Sequence, residues 1–435
     1  MSYASVQSET SINPDTQRVY KNHFASRSLS RSATTRRHRA GNLRRKSRPQ
    51  LRPDFPIIVH CHLRWDWVWQ RPQQFISRLS QRHRVLFVEL IGPDPQLAAP
   101  LVRYHSLPDY PNLTVMCLQF PSWRWEDGDY VDTTRRRLVQ EFLKHGPLAG
   151  QFKAPVQWFY DPMAVTAFAG QMGEVLTVYD CMDELSKFRF APVSIQQREA
   201  ELLARADVVF AGGRKLHESK SSFNTNCHFH GCGVDVEHFG RARESQTIVP
   251  DAVARLKKPV LGYFGVIDER LDYDLLSRLA QANPDWSIAM VGPVMKVDPQ
   301  ALPQHPNLHL LGQRPYADLP ALCKGFDLCL MPFALNESTE YINPTKALEY
   351  MATGRMIVST AVADVVRNFG SVVKVASNAD EFIGFCQRAL ERPDHQAISR
   401  GLKMAGENSW DSIVAQLEQH IFDAAAAVSR EKVEV

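Results

Sequence analysis

The chain has 435 residues and a formal charge of +4, a length that predicts two or three domains. At 44% hydrophobic and 23% charged residues the composition is that of a soluble globular protein, and no apolar run reaches the roughly 18 residues of a membrane span. The charge is divided unevenly: residues 1–55 carry 12 Lys and Arg against 3 acids, a net of +9, whereas the remaining 39 basic and 44 acidic residues leave the body at −5.

The basic tail lacks hydrophobic periodicity and an apolar leader segment, so it is expected to be disordered and not a secretory signal. Eight cysteines form no C-x-x-C pair, and several lie in apolar runs such as Val115-Met-Cys-Leu. They predict free buried thiols and a reducing, cytoplasmic setting. Structure is expected to begin at Pro56-Ile-Ile-Val-His-Cys, a buried strand. A helix follows from Arg71 with Pro72 in its first turn, then a strand over Arg84–Leu90. The Pro-rich stretch 92–111 reads as a loop. Leu113–Leu118 is a strand and 133–145 a helix. Val156–Tyr160, Val175–Tyr179 and Val208–Ala211 are strands, with a helix from Ser194 to Arg205.

A polar break covers 241–258, after which the alternation restarts. Pro259–Gly265 and Trp286–Gly292 are strands that end in glycine; Leu308–Gly312, Leu328–Met331 and Met356–Thr360 are three more. Helices fill 272–281, 316–324 and 344–353, and from Asp380 the chain reads as helical to about 428. Alternating strands and helices imply parallel sheets covered on both faces. The expected class is α/β: two doubly wound Rossmann-like domains facing across a cleft. The expected divisions are a tail over 1–55, a first domain over 56–240, a linker over 241–258, a second domain over 259–400, and a C-terminal helix over 401–435 packing back toward the first domain.

One stretch is rich in local signals: Asn343-Pro-Thr-Lys-Ala-Leu-Glu-Tyr-Met-Ala-Thr-Gly354. Asn343 reads as an N-cap, Pro344 as the first helical residue and Gly354 as the C-terminal stop. Lys346 and Glu349 share a face. A helix N-terminus presents free N–H groups and a positive dipole, which suit a pyrophosphate, and Lys346 adds a full charge. Glu349 lies roughly 7.5 Å along the axis from Pro344, a spacing that suits ribose hydroxyls. A capped helix with an internal Lys–Glu pair explains the same residues equally well.

This segment resembles the donor-binding signature of retaining glycosyltransferases of the two-Rossmann GT-B fold (group 1, family 4-like). Within that group it is most similar to the branch that includes teichuronic-acid-type cell-wall polysaccharide glycosyltransferases. Trp69-Gln-Arg-Pro-Gln-Gln, Val178-Tyr-Asp-Cys-Met-Asp-Glu and Gly231-Cys-Gly-Val-Asp-Val-Glu-His-Phe resemble further segments of that branch. The resemblance implies a nucleotide-sugar donor, UDP- or GDP-linked, held by Gly265, Arg270, Asn343, Pro344, Thr345, Lys346 and Glu349, with no cofactor and no metal. It implies a saccharide or lipid-linked acceptor and a place in cell-envelope polysaccharide synthesis. The chain departs from the family at one point. A Glu expected eight residues before Glu349 is Tyr341 here, and Glu340 is the nearest substitute. Lys346, Arg270, Glu340 and His62 are the expected catalytic groups.

The first domain would hold the acceptor. Trp65, Trp67 and Trp69 alternate, so an extended segment would put them on one face. Trp65, Trp67, Arg71 and Asp183 are the expected acceptor contacts, and His60 and Asp161 are weaker acid/base candidates beside His62. Asp127-Gly-Asp129 has the form of a metal motif but lies in a polar loop. Cys227-His-Phe-His-Gly-Cys232 splits its ligands between two faces of a strand and lacks a second cluster. No G-x-G-x-x-G or P-loop sequence is present. Two rival functions stay open: a nucleotide-sugar epimerase and a non-catalytic sugar-nucleotide-binding protein. For the tail, contact with the anionic inner face of a membrane and a merely solvated leader stay open, and a nucleic-acid arm is disfavoured by its few aromatics.

Overall fold

The short apolar runs form strands buried on both faces, the pattern of a parallel sheet sandwiched between helices. The computed structural model describes residues 18–19, 51–188, 191–337 and 339–430 and arranges fifteen strands in two sheets. The first sheet holds β1 (Arg18–Val19), β2 (Ile57–Cys61), β3 (Val85–Asp94), β4 (Leu101–Leu107), β5 (Tyr110–Pro121), β6 (Val156–Phe159), β7 (Leu176–Cys181), β8 (Val208–Ala211) and β9 (Cys227–Phe229). Its order is β1-β4-β5-β3-β2-β6-β7-β8-β9, parallel from β5 through β9. The second sheet holds β10 (Val260–Phe264), β11 (Ser287–Val291), β12 (Leu308–Leu310), β13 (Leu328–Met331), β14 (Ile357–Thr360) and β15 (Lys374–Ala376), in the order β12-β11-β10-β13-β14-β15, all parallel.

Each sheet reverses its winding at its first parallel strand, between β2 and β6 and between β10 and β13. Such switch points open crevices beyond the carboxyl ends of the strands. Those ends lead into His62 in the first domain and Gly265 and Pro332 in the second.

Two chain crossings join the domains, and they pair with each other. The Val234 N–H donates to the Asn408 carbonyl at 2.9 Å, and the Trp410 N–H donates to the Val234 carbonyl at 3.4 Å. Gly233 has no room for a side chain, because a Cβ there would lie 2.9 Å from the Trp410 ring. The helix His395–Glu407 stays on the second domain, where Gly401 packs against Met351. The return to the first domain therefore starts at Trp410, not at 401. Helix Trp410–Arg430 buries Trp410, Leu417 and Ile421 in the same core as Phe75 and Trp158. Among the described residues no helix is long and apolar enough to cross a membrane.

Two expectations about the first domain need correction. The stretch 92–111 is not a loop: β3 runs on to Asp94, and β4 pairs antiparallel with β5. Val102 and Tyr104 face the core while Arg103 and His105 alternate with them, a period-2 signal hidden between prolines. Nor does the tail extend to 55. Phe55 is buried against His83 and Phe422, and Arg18–Val19 pair with Arg103 and Tyr104. The rest of the tail lies outside the described residues.

Trp410 closes the crossing, so Trp410→Ala should cost about 3–5 kcal/mol of unfolding free energy in a urea titration. Trp123→Ala, at a residue 67% exposed, should change stability by no more than about 0.5 kcal/mol.

Candidate active site

A cleft of about 460 Å³ opens between the carboxyl ends of the two sheets. Its floor is made by two glycines. Gly265 follows β10 with φ +140°, and Gly292 follows β11 with φ +150°, backbone that side-chain-bearing residues rarely adopt. A Cβ on Gly292 would fall 1.9 Å from the Gly265 carbonyl oxygen, and one on Gly265 would fall 2.3 Å from Lys346 Cε. The Gly265 N–H donates to Val291, and that of Gly292 to Gly312. The two turns therefore touch, and the Lys346 stem packs directly on them.

The helix Lys346–Thr353 supplies the back wall. Tyr350 fixes it to β10: its buried hydroxyl accepts the Phe264 N–H at 3.0 Å. Gly354 ends the helix in the left-handed region at φ +71°. The start differs from the expected cap. Thr345 occupies the N-cap position, while Asn343 donates through Nδ2 to the Gly212 carbonyl of the first domain at 3.2 Å. Asn343 thus ties the domains together, and Pro344 and Thr345 lead into the helix. Among the described residues, the N–H groups of Thr345 and Lys346 donate to no backbone carbonyl, as expected for the first turn of a helix.

Lys346 and Glu349 both face the cleft. Burial pulls the Lys346 ammonium down from its ordinary pKa, with Glu349 opposing, and its Nζ lies 5.4 Å from the Tyr263 ring centroid. Burial pushes the Glu349 carboxyl up to about 7, with Lys346 opposing. Arg270 lines the same cleft, and Asp268 grips its guanidinium at 2.8–3.1 Å through both carboxylate oxygens. Burial works against the charge on Arg270, but Asp268 more than compensates and keeps it firmly protonated. Asp268 is itself buried and is a positioning residue that carried no sequence signal.

The first-domain wall is Trp65–Arg71 with Met182, Asp183 and Gly212. The extended-segment expectation fails here, because residues 64–67 form a turn in which the Trp67 N–H donates to the Arg64 carbonyl at 3.3 Å. Trp65 is 6% exposed and packs edge-on against Trp69, Phe87 and Tyr110. Its backbone N–H donates to the buried Glu89 carboxyl at 2.8 Å, and with its ring packed away Trp65 supports the wall more than it presents a face to a ligand. Trp67 is half-buried and lines the cleft. Arg71 touches the cleft but is committed to structure: Nε donates to Asp180 at 2.9 Å and Nη1 to the His230 carbonyl at 2.7 Å.

Other expected residues lie elsewhere. Glu340 is exposed, pairs with Lys215 of the first domain and does not line the cleft. The guess that it replaces the missing carboxylate is therefore not supported by its placement. Glu337 likewise turns to Lys187, at 2.8 Å. His62 lies behind the cleft wall, with Nδ1 at 3.1 Å from the Tyr160 carbonyl, and lines a neighbouring cavity together with Asp161. His60 is buried, stacked on Phe168 and held near a pKa of about 3 by burial. Asp127 caps the helix Gly128–His145. His228 stacks on His420, and among the described residues no group of three or more metal-ligating side chains gathers.

Sequence reasoning missed Tyr316. It sits in a short 3-10 turn, stacks on His238 at 4.5 Å, and its hydroxyl accepts from Gln74 Nε2 of the first domain at 3.1 Å. No local pattern marks such a cross-domain partner.

The Glu349 environment makes a pH prediction. Its folded pKa lies above the unfolded 4.5, so the protein takes up a proton on folding and stability falls as pH rises from about 4.5 through about 7. Glu349→Gln removes that titration. The stability of the variant relative to the natural protein should rise between pH 5 and pH 8, measured by denaturant unfolding. Parallel curves would contradict the assignment.

Comparison with known proteins bears on the family and the fold. Residues 258–392 match the family model of Glycosyl transferases group 1. The chain is 24% identical over 267 residues to the teichuronic acid biosynthesis glycosyltransferase TuaH of Bacillus subtilis (strain 168). That match covers 56% of this chain and 66% of the relative, just under two thirds of the relative's length. Among solved structures, an E. coli trehalose-6-phosphate protein bound with UDP-2-fluoro glucose superposes with a TM-score of 0.61 at 13% identity, over 85% of this chain and 99% of that one. Sucrose-phosphate synthase from Thermosynechococcus elongatus gives 0.61 at 16% identity, over 86% and 100%. Anabaena Alr3699/HepE in complex with UDP and glucose gives 0.60 at 14% identity, over 84% and 99%. The chain has the GT-B fold, and its second domain is similar to the group 1 glycosyltransferases over residues 258–392.

Proposed function

We propose that this chain transfers a sugar from a UDP-sugar to a saccharide acceptor during synthesis of a cell-envelope polysaccharide. The observation that carries the reading is the convergence of Lys346, Arg270 and Glu349 on one cleft floored by Gly265 and Gly292. Two solved neighbours named with UDP favour the uridine class, and the Bacillus relative's name favours an envelope polysaccharide.

In this reading the glycine turns let the backbone come close to the diphosphate, as bulkier residues would not. When the bond between the sugar C1 and the diphosphate oxygen breaks, its electron pair leaves with the phosphate. Lys346, Arg270 and the first N–H groups of the Lys346–Thr353 helix stabilise that charge, and a dry cleft strengthens each interaction. Glu349 accepts hydrogen bonds from the ribose hydroxyls. The acceptor oxygen, delivered from the Trp67 side, bonds to C1 and passes its proton to the departing diphosphate oxygen. Retention at C1 follows the resemblance to retaining enzymes. We further read the basic tail as an arm attracted to an anionic membrane surface where lipid-linked acceptors reside.

UDP should raise the melting temperature of the natural protein, and GDP should do so less. Lys346→Ala should abolish most of that shift and slow sugar transfer roughly 10²–10³-fold, the loss typical of removing one preorganised charge-stabilising group. A Lys346→Ala, Glu349→Ala double variant with unaltered UDP binding would refute the proposed donor site.

A further inference from the structure

The loop that should bring a carboxylate to the donor sugar does not do so in this chain. Tyr341 occupies the expected position and packs against the first-domain core, while Glu337 and Glu340 are drawn outward by Lys187 and Lys215. The carboxylates that line the cleft are Asp66, Asp183 and Glu349. Asp66 is exposed and held by Arg64 through two bonds, at 2.7 and 3.1 Å. Glu349 lies against Lys346 and Tyr316, where the ribose is placed.

Asp183 is different. It lies two residues past the end of β7, at the carboxyl edge of the first sheet, and faces Arg270 across the domain boundary. Gly212 lets this strand end sit close to its neighbour: a Cβ there would lie 3.1 Å from the Met182 carbonyl oxygen. Asp183 is half-buried, and among the described residues its carboxylate accepts no hydrogen bond and enters no ion pair. The nearby cations are committed elsewhere. Arg270 is held by Asp268 and Arg71 by Asp180, while Lys296 leans toward Glu269 and Phe188. Three residues before Asp183 the strand already shows the alternative fate of such a group, because Asp180 is fully buried and locked by Arg71.

An acceptor-only group held uncommitted beside the phosphate-facing Arg270 suits a ligand with hydroxyl donors. We infer that Asp183 is the carboxylate that binds the hydroxyl groups of the donor's sugar, supplied by the first domain in place of the one missing from the second. The inference rests on the proposed donor site, with Arg270 marking its diphosphate. Burial pushes the Asp183 carboxyl up to about 6, with Arg270 and Lys296 opposing, so it is ionised at neutral pH and able to accept. Closure of the two domains then completes the sugar site, because its phosphate side and its hydroxyl side come from different sheets.

The test is calorimetric titration of the full chain with UDP and with UDP-glucose, UDP-galactose, UDP-N-acetylglucosamine and UDP-glucuronate, using the tightest-binding sugar nucleotide for the comparison. Asp183→Ala should weaken binding of that sugar nucleotide roughly 10- to 100-fold, the range for hydrogen bonds to a charged group, while UDP affinity changes less than about twofold. Asp183→Asn keeps the shape of the strand end and should show the same selective loss. Equal affinity of the variants and the natural protein for the sugar nucleotide would overturn the inference. So would a parallel loss for UDP and the sugar nucleotide, which would mark Asp183 as a support for Arg270. If the natural protein binds neither UDP nor any of the four, the donor site itself is wrong and the inference falls with it.

Discussion

The contact between Gly265 and Gly292 sets what this cleft can hold. With no side chain on either, the ends of β10 and β11 meet backbone to backbone, and the Lys346 stem lies on the turn they form. Any side chain at Gly265 would displace Lys346, and any at Gly292 would push the two strands apart. The Lys346 ammonium is thereby held at the mouth of the parallel sheet's switch point, where a doubly wound fold already directs its ligands. Tyr350 then sets the depth of the helix by bonding β10 directly.

The electrostatics follow from that packing. Lys346 and Glu349 share one helix face in a poorly solvated space, and burial works against the charge of each. A bound diphosphate would favour the charged form of Lys346, so the cost of keeping it dry is offset on binding. Arg270 takes another route, with Asp268 bound through both oxygens to preserve its charge and aim it. The first domain closes over this arrangement through contacts of modest strength: Asn343 to Gly212, Gln74 to Tyr316, and the exposed pairs Lys187–Glu337 and Arg367–Glu218. Exposed pairs of this kind are worth about 0–1 kcal/mol each, which suits a cleft that must open to exchange its ligands.

The sequence made the architecture readable because each element is local. Buried strands are short apolar runs, and strand-ending glycines mark the turns at 265 and 292. The shared face of Lys346 and Glu349 follows from helical spacing alone. The failures concern partners distant in sequence. Asn343 has the chemistry of a cap, but Gly212, 131 residues away, offers its side chain a different acceptor. Glu340 meets a lysine of the other domain. Trp65 turns inward because its ring packs on Phe87 and Tyr110, Glu89 holds its backbone N–H, and a turn breaks the assumed alternation. The strand β4 was obscured by prolines on both sides. Tyr316 and Asp268 have no pattern at all, since what makes them matter is a contact across a boundary or with a single neighbouring side chain.

A crystal structure of the chain with UDP tests the central claim most directly. The account predicts the diphosphate against Gly265, within hydrogen-bonding distance of Lys346 Nζ and the Arg270 guanidinium, with the ribose hydroxyls on the Glu349 carboxylate. A nucleotide bound instead in the neighbouring cavity beside His62 and Asp161, or one that leaves Lys346 and Glu349 untouched, would contradict it.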